Sequence, residues 1–502
     1  MFSLPTDVTA EKLKATTHEA VKTHAERWQI CLDAYDGEGG FLTGAYLWKF
    51  PREIDAEHAS RQAQARYHNV TATLIDYYVR KVFGNDIVRE TSSVDLEAWW
   101  ANVDGAGTDL STYLRNALGK ALAAGYVGIL ADKTPDAPTG PAKADERAQV
   151  FLTRYLPTAI LDWRLDRDET LTAVKLLEDV PSDNLLDEDA PQPQVLLWDK
   201  DEWVRVPDGD HPQITRELTF LDLVPMVTLR PFRHARWPFI GRPLLGDGGI
   251  PRALYNRGSE QDDVIRNQAF SVFVVSLPTT GEVDVQKAKD ALGNEIGTTR
   301  ALFAYGTGEY KTPSMDVPAM LEQHQAFLVR ELYRMAHVPY ERDSREAQSA
   351  EAIRLQHEEL TAVLEGVASE CQRVEIALCK LYFAWTSATP EQAEAAFDAA
   401  NVQVTYPATF FEADPEAEIK ALADAMSAVP SKTFEQVVQK HIVEMTPVDI
   451  DDETRQKITD EIEAGEAERQ PAPMLGVGAE ARLSAAMQAD ALAQDDLAQE
   501  AA

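Results

Sequence analysis

The chain has 502 residues, which is too long for a single hydrophobic core and predicts roughly three modules. Its 83 acidic residues outnumber its 48 basic residues, giving a net charge of -35, so no basic face for nucleic acid or an anionic membrane is expected. The longest apolar stretch, Phe270 to Leu277, is much shorter than the ~20 residues of a transmembrane helix. Three cysteines are too few for a disulfide framework and favour a reducing compartment.

The N-terminal part of the chain has the apolar spacing of helices. This spacing predicts three helices, from Val8 to Tyr35, from Ala56 to Val82 and from Leu110 to Gly125. In the first of them the apolar residues alternate by four and three positions and so share one stripe: Val21, Ala25, Trp28, Leu32 and Tyr35. Glycines after this stripe end the helix.

Strands follow the third helix. Short β-branched or aromatic runs are separated by segments rich in Pro, Asp and Gly. They predict strands at Tyr126–Ala131, Val150–Tyr155, Leu171–Leu177, Val195–Trp198, Trp203–Val206 and Met226–Leu229. Helices followed by a mostly antiparallel sheet indicate an α+β fold.

Two helices next enclose a small β-containing insert. A glycine-rich turn leads into a helix that begins near Pro251, where proline is favourable because its missing N–H needs no partner. The insert is expected to contain a strand, a short helix and a second strand: Ser271–Leu277, Val285–Leu292 and Thr299–Tyr305. The closing helix runs from Val317 to His337.

The strongest periodicity in the chain predicts one long helix from Ser349 to Trp385. Its apolar positions alternate by four and three without a break, which is typical of a helix packed lengthwise against its neighbours. The helix would span ~55 Å, a length that suggests an assembly. The residues expected to pack between subunits are Ile353, Leu360, Leu364, Val367, Val374, Leu378, Leu381 and Trp385.

The C-terminal part predicts a strand and three helices before an acidic tail. The strand is Val402–Tyr406, and the helices lie near Glu416–Ala428, Lys432–Ile442 and Asp451–Glu468. From about Gln470 the sequence is rich in Ala, Gln and Asp and has no apolar face, which is typical of a disordered tail.

Catalytic motifs are absent from the sequence. It contains no phosphate-binding GxxxxGK[ST] loop, no GxSxG elbow, no CxxC pair and no His pair at zinc-protease spacing. Acidic pairs such as Asp262–Asp263 and Glu358–Glu359 are expected by chance in so acidic a chain, and a solvated face is favoured over a metal site. No cofactor, metal or catalytic residue is therefore expected, and an enzyme is the weaker hypothesis.

The order of these elements resembles that of portal (head–tail connector) proteins of tailed bacteriophages, of the long-tailed phage type. Two stretches carry the resemblance: FLVRELYRMAHVP, ending at Pro339, and SAEAIRL, starting at Ser349. In that family a stem helix often ends in a similar "LY…VP", crosses a short loop and enters the long helix with S-G-E-A-x-[KR]-[LY]; here Ala350 replaces the glycine. FEADP at Phe411 and PSKT at Pro430 are similar to a C-terminal region of such chains.

The resemblance implies a mainly helical portal-type α+β subunit with the following parts. These are an N-terminal wing (1–245), two stem helices (246–270 and 317–337), a small α/β clip (271–316), a tunnel loop (338–348), a long kinked helix with the rest of the wing (349–429), a helical crown (430–469) and a disordered acidic tail (470–502). The candidate clip contacts are Phe273, Val274, Val275, Leu302, Phe303 and Tyr305. The candidate tunnel-loop residues that meet DNA are Pro339, Tyr340, Glu341, Arg342, Asp343, Ser344, Arg345, Glu346 and Ser349.

Arginines near the proposed loop have two interpretations of about equal weight. Arg342, Arg345 and Arg354 either touch passing phosphates or form salt bridges with nearby glutamates or a neighbouring chain. The net charge fits a duct, because a wall of cations would bind each phosphate and resist sliding. It also fits simple solubility.

The function implied by the resemblance is a virion protein that forms a ring, usually of twelve copies, at one capsid vertex. Double-stranded DNA would be packaged and later ejected through it without sequence-specific binding. The expected partners are further copies of the chain, terminase, a head–tail adaptor, and the major capsid and scaffolding proteins, with assembly in the host cytoplasm and no membrane. The alternative is an acidic multidomain cytoplasmic enzyme with carboxylate-based metal chemistry, which would be a monomer or a small oligomer.

Overall fold

The structure is a computed structural model that describes the following residues: 9–51, 53–133, 149–180, 192–208, 213–219, 221–269, 273–277, 301–305, 316–340, 350–407, 410, 436–440, 457–458 and 462. Contacts within the chain divide it into two compact units, Met1–Phe410 and Phe411–Ala502. Most of the described residues belong to the first unit. This unit combines helices with mainly antiparallel sheets, which confirms the predicted α+β class.

The N-terminal helices are shorter than the sequence predicts. They are α1 Ala10–Ala15, α2 Glu19–Asp36, α3 Gly40–Thr43, α4 Asp55–Gln64, α5 Val70–Val82, α6 Val94–Trp100 and α7 Leu110–Ala124. The first predicted helix is interrupted at His18, whose Nδ1 accepts the N–H of Ala20 at 3.1 Å and so caps α2. The second predicted helix is divided into α4 and α5, because Asn69 caps α5 by accepting the N–H of Ala72 at 2.8 Å. The third prediction is confirmed.

Two antiparallel sheets follow. One has the order β3-β2-β9 and contains β2 Val127–Lys133, β3 Val150–Tyr155 and β9 Met226–Leu229. The other has the order β4-β5-β6-β7-β8 and contains β4 Ile160–Leu165, β5 Leu171–Val180, β6 Gln192–Asp199, β7 Glu202–Pro207 and β8 Thr215–Leu218. Every predicted strand of this region is present. The sequence reading missed β4 and β8; all four residues of β8 are exposed, so no alternation of burial marks it.

Two hydrophobic clusters connect the N-terminal helices to later elements, one to a sheet and one to a helix. Helix α1 covers the five-stranded sheet by placing Ala10 against Val195, Leu197, Val204 and Val206. A second cluster joins α2 and α3 to a later helix, α8 (Gly249–Ala269), through Ile30, Ala34, Phe41, Leu47 and Tyr255. The start of α8 is therefore fixed to the N-terminal helices.

The long predicted helix is confirmed. Two helices flank the insert that follows the sheets, α8 and α9 (Asp316–Met335). The long helix is α10, Ala350–Thr386, with 37 residues. It packs against β2, β3, β9 and α5, and against two elements that come after it, α11 (Pro390–Ala400) and β12 (Gln403–Thr405). Strand β12 pairs antiparallel with β1 (Val88–Glu90), so the chain returns to its N-terminal part.

The insert between α8 and α9 contains two described strands, β10 (Phe273–Leu277) and β11 (Ala301–Tyr305). They pair in parallel, with Phe273 opposite Ala301 and Leu277 opposite Tyr305. Both strands were predicted, whereas the helix predicted at Val285–Leu292 lies outside the described residues.

Few residues of the second unit are described. Residues 436–440 are helical, within the helix predicted at Lys432–Ile442. Gln436 donates its side-chain N–H to the carbonyl of Ile462 at 2.9 Å. The helix predicted at Glu416–Ala428 and the tail predicted from residue 470 lie outside the described residues.

Candidate functional site

The helices α8 and α9 form a pair, which we call the stem. Gln325 of α9 donates to the side chain of Gln261 at 2.5 Å and to the carbonyl of Arg257 at 3.3 Å, both on α8. The inward face of α9 contains Leu328 and Leu332, which are buried as their helical spacing predicts.

The stem is attached to the rest of the unit near the start of α8. The amide of Asn256 is fully buried; it accepts the N–H of Trp48 at 2.7 Å and donates to the carbonyl of Tyr46 at 3.1 Å. Arg61 holds the same region by donating to the carbonyl of Trp48 at 2.7 Å and to Glu53 at 2.6 Å. The guanidinium of Arg61 lowers the pKa of Glu53 to about 2. This ion pair is therefore present over the whole physiological pH range.

The end of α9 is attached as well. Tyr78 of α5 donates its hydroxyl to the carbonyl of Ala336 at 2.5 Å. The helix then stops in a Schellman turn: His337 is left-handed (φ 51°), Val338 N–H donates to the Tyr333 carbonyl at 3.0 Å, and His337 N–H donates to the Arg334 carbonyl at 3.1 Å. The stem is thus held at the start of one helix and the end of the other.

Other side chains of the stem are apolar and exposed. Ile265 of α8 and Phe327 of α9 are each 48% exposed, and Met320 is 66% exposed. Met320 and Phe327 lie seven residues apart and so share one face of α9, away from the face that packs on α8. A second exposed apolar group lies on the segment next to the start of α8: Leu42, Trp48, Phe50 and Ile54. A partner that packs on this face of α9 would cover Met320 and Phe327.

The two strands of the predicted clip form a sheet of their own within the described part of the chain. Parallel pairs are rarely found without further strands or helices to cover them, and an isolated pair of strands is marginally stable. Of the candidate contacts, Phe273, Val274 and Val275 lie on β10, and Leu302, Phe303 and Tyr305 lie on β11. The structure places all six backbones in one two-stranded sheet.

The predicted tunnel loop is described only at its start. Pro339 and Tyr340 follow the Schellman turn, and the ring of Tyr340 packs edge-on against Tyr333 at 5.0 Å. The remaining candidates, Glu341, Arg342, Asp343, Ser344, Arg345, Glu346 and Ser349, lie outside the described residues. The two helices that flank the loop approach each other, because His337 Nδ1 lies 3.8 Å from Glu359 Oε2 of α10.

The apolar stripe of the long helix does not have the predicted role. Leu360, Leu364, Val367, Val374, Leu378, Leu381 and Trp385 are all buried within a single chain. Trp385 also donates its indole N–H to the carbonyl of Ala131 on β2 at 2.9 Å. These side chains form part of the core of the single chain, which corrects their interpretation as contacts between copies. The side chain of Ile353 lies outside the described residues.

A buried ion pair fixes the long helix to β1. Glu375 is fully buried and accepts hydrogen bonds from Arg89 Nη2 at 3.1 Å and from the hydroxyl of Tyr406 at 3.0 Å. Arg89 also donates to Ser111 on α7 at 2.7 Å. Burial raises the pKa of Tyr406 well above its usual value, with the charge of Glu375 adding to the effect, so this hydroxyl remains a donor.

The described residues show no group of three or more His, Cys, Asp or Glu side chains that could hold a metal ion. Within the same residues, no helix has the length and apolar character needed to cross a bilayer.

All three cysteines are buried, and burial raises the pKa of Cys31 to about 12. Cys371 and Cys379 lie on α10 and are fully buried.

Solved structures of gene transfer agent (GTA) particles share a partial likeness with this chain. A chain from the neck of an empty GTA particle has a TM-score of 0.35 and 10% identity over 78% of this chain and 90% of its own. One from the neck of the native GTA particle has a TM-score of 0.37 and 10% identity, covering 77% and 93%. One from the virion of a native gene transfer agent particle has a TM-score of 0.33 and 9% identity, covering 86% and 98%.

No family model matches the sequence, and no curated protein matches it either.

The exposed apolar residues of the stem were not predicted from the sequence. The spacing of Leu321, Leu328, Leu332 and Met335 defines one apolar face of α9. Met320 and Phe327 form a second face at an interval of seven. A helix with apolar residues on two faces is expected to bury both, and this was the available signal.

Proposed function

We propose that this chain is the subunit of a ring-shaped portal, a head–tail connector through which double-stranded DNA enters and leaves a capsid. The observation that carries the proposal is the stem, a helix pair held to the rest of the unit at one end of each helix, with Ile265, Met320 and Phe327 exposed on it. A single copy leaves this apolar surface in water, whereas a ring of copies would cover it.

In this proposal the stem and its insert have separate tasks. The helices α8 and α9 pack against neighbouring stems, and β10 and β11 form the clip. Strands with open edges are sites for pairing with another chain, so adjacent clips would complete each other's sheets. The clip would dock terminase during packaging and a head–tail adaptor afterwards. The N-terminal and long-helix regions form the wing, in contact with the major capsid and scaffolding proteins, and residues 430–469 form the crown.

The charge of the chain fits this role. Each subunit carries a net charge of -35, which keeps a channel wall from binding phosphates tightly. A wall of cations would gain affinity from each released counterion and would have to break that contact at every step of DNA movement. We assign no catalytic group to this chain; the ATPase that drives packaging would be a separate subunit.

The mass of the purified full-length chain tests the proposal. A twelvefold ring would have a mass of about 670 kDa, twelve times 55.7 kDa, and electron micrographs of it would show a central hole. Sedimentation velocity and negative-stain images measure both properties. A monomer or a small compact oligomer at every concentration would contradict the proposal and favour the multidomain enzyme.

The tunnel loop has its own test. Removing part of residues 341–348, which precede α10, should leave the ring mass unchanged and impair DNA packaging or retention in particles. The expected reason is that the loop meets DNA and does not join subunits. Normal packaging by rings of this variant would refute the assignment.

A further inference from the structure

A cleft of about 860 Å³ opens between α2, α5, α7 and β3. Four of its lining residues are basic and two are acidic: Arg80, Arg115, Lys120 and Arg154, with Asp36 and Asp76. A basic excess at one place is unexpected in a chain whose acidic residues outnumber the basic ones by 35. The cleft is therefore distinct in charge from the protein as a whole.

Both acidic side chains of the cleft are already engaged. Lys120 pairs with both carboxylate oxygens of Asp36. Tyr35 donates its hydroxyl to Asp76 Oδ1 at 2.9 Å. This network forms an ordered polar wall of the cleft and neutralises Lys120.

Four basic and two acidic side chains give the cleft a net charge of +2, and none of its three arginines is within ion-pair distance of a described carboxylate. Arg80 donates Nε to the backbone carbonyl of Asp76 at 3.3 Å, and Arg115 donates Nη2 to the carbonyl of Phe83 at 3.2 Å. Neither of them, nor Arg154, forms an ion pair with a carboxylate in the described part of the chain. All three side chains are exposed. The carbonyl contacts orient two of the guanidinium groups and leave further donors free for an anion.

We infer that this cleft receives carboxylate side chains from a second copy of the chain. Guanidinium groups bind carboxylates through paired, charge-assisted hydrogen bonds. Every copy carries 83 acidic residues, and a head-to-tail ring joins two different faces of the subunit, so a basic cleft can meet an acidic face. The inference rests on the ring assembly of the proposed function and assigns one of its contacts.

The shape of the site favours a carboxylate over DNA. Phosphates of a duplex lie on a convex cylinder, which contacts only the rim of a recess between helices and a strand. Aspartate and glutamate side chains project from a protein surface and can enter it. A local contact of opposite charge also offsets the repulsion between copies that each carry a net charge of -35.

Charge reversal in the full-length protein tests the site. The double variant Arg80→Glu/Arg115→Glu should raise the protein concentration at which half of the chains are in rings by at least about tenfold. Arg80→Lys/Arg115→Lys keeps the charge and should assemble nearly as the wild type does. A matched control is Arg164→Glu/Arg167→Glu, at two exposed arginines near the β4–β5 turn, which should leave assembly unchanged. Sedimentation velocity over a dilution series measures the effect.

The outcomes separate this inference from the proposed function. If the wild type forms rings and Arg80→Glu/Arg115→Glu forms them at the same protein concentration, the inference is wrong and the portal proposal stands. A wild-type chain that never forms a ring overturns both. If the reversal instead abolishes binding of a labelled DNA duplex in fluorescence anisotropy while rings persist, the site takes phosphate and the inference is wrong. If the charge reversal unfolds the chain in a melting experiment, Arg80→Ala/Arg115→Ala replaces it in the same assays. Weaker ring assembly of this variant supports the inference, and unchanged assembly overturns it.

Discussion

Outside the stem, in the rest of the first unit (here called the body), the long helix α10 buries Leu364, Val374 and Leu378 completely. In the stem, Met320 and Phe327 expose 66% and 48% of their surface. Both helices carry regular apolar stripes in the sequence. The apolar stripe of α10 is buried by sheets and helices of the same chain, so mutations in it should change the stability of the single chain. The stem leaves one apolar face open, so its mutations should act on assembly. The difference shows that periodicity predicts burial but does not identify the partner.

The largest effect is expected at the buried ion pair of the body. Glu375→Ala leaves the guanidinium of Arg89 and the hydroxyl of Tyr406 without their shared acceptor. We expect a loss of about 3 kcal/mol in the free energy of unfolding, because the largely buried guanidinium of Arg89 loses its partner. Denaturant unfolding of the purified protein measures it. Glu365→Ala, an exposed position on the same helix, should cost less than about 0.5 kcal/mol. Equal stability of the two variants would show that the pair does not hold β1 to α10.

A second test in the body uses pH. Burial raises the pKa of Asp132 on β2 to about 6, while the backbone N–H of Lys133 donates to its carboxylate at 2.8 Å. A raised folded pKa means that this group favours folding at low pH and that the contribution is lost as the pH rises through about 6. Asp132→Asn should therefore stabilise the protein by about 3 kcal/mol at pH 8, by about half as much near pH 5, and hardly at all near pH 3, below both pKa values.

Unfolding midpoints of Asp132→Asn and the wild type at these pH values measure this difference. Asp168→Asn, on the exposed β4–β5 turn, provides the control and should change no midpoint noticeably. A stabilisation of Asp132→Asn that is the same at pH 5 and pH 8 would rule out the titration of this carboxylate as its cause.

Substitutions on the exposed face of the stem should change the assembly of the ring and leave the stability of the single chain nearly unchanged. Met320→Asp/Phe327→Asp places two charges on its exposed face, and the fold of the single chain should keep its melting temperature within a few degrees. The concentration at which rings form should rise at least about tenfold, because charges at an apolar interface must be desolvated. Gln323→Asp, another exposed position of α9, is the matched control for added charge. A large fall in melting temperature without a change in assembly would reverse the contrast between body and stem.

Much of the element order could be predicted from the sequence, because strong periodicity and glycine or proline boundaries act locally. The strands Val150–Tyr155 and Met226–Leu229 were predicted to the residue. The caps at His18 and Asn69 were missed, since they break a helix without breaking the apolar stripe. The apolar stripe on α10 was wrongly predicted to pack between copies. The residues that cover it, such as Ala131, come from distant parts of the same chain, which the spacing within α10 cannot indicate.

The candidate site was predicted less well than the fold. The stem helices and clip strands follow from local spacing, whereas the exposure of Ile265 and Phe327 depends on which face packs inward. The arginine cleft was not predicted at all. Arg80, Arg115 and Arg154 are separated by tens of residues and are brought together only by the packing of α5, α7 and β3. Spacing along the chain contains no signal of such a site.

The Schellman turn at His337 sets a limit on how far the following loop can extend. The imidazole of His337 lies beside Glu359, so the chain leaves α9 next to α10 and must return to the start of that helix. Glu359 lies nine residues after Ala350, or ~14 Å along α10, and the connecting backbone has a contour length of roughly 45 Å. The loop can therefore project no more than about 20 Å from these helix ends. In a ring, contact with a duplex at the axis would require the ends of α9 and the adjoining part of α10 to lie within that reach of it.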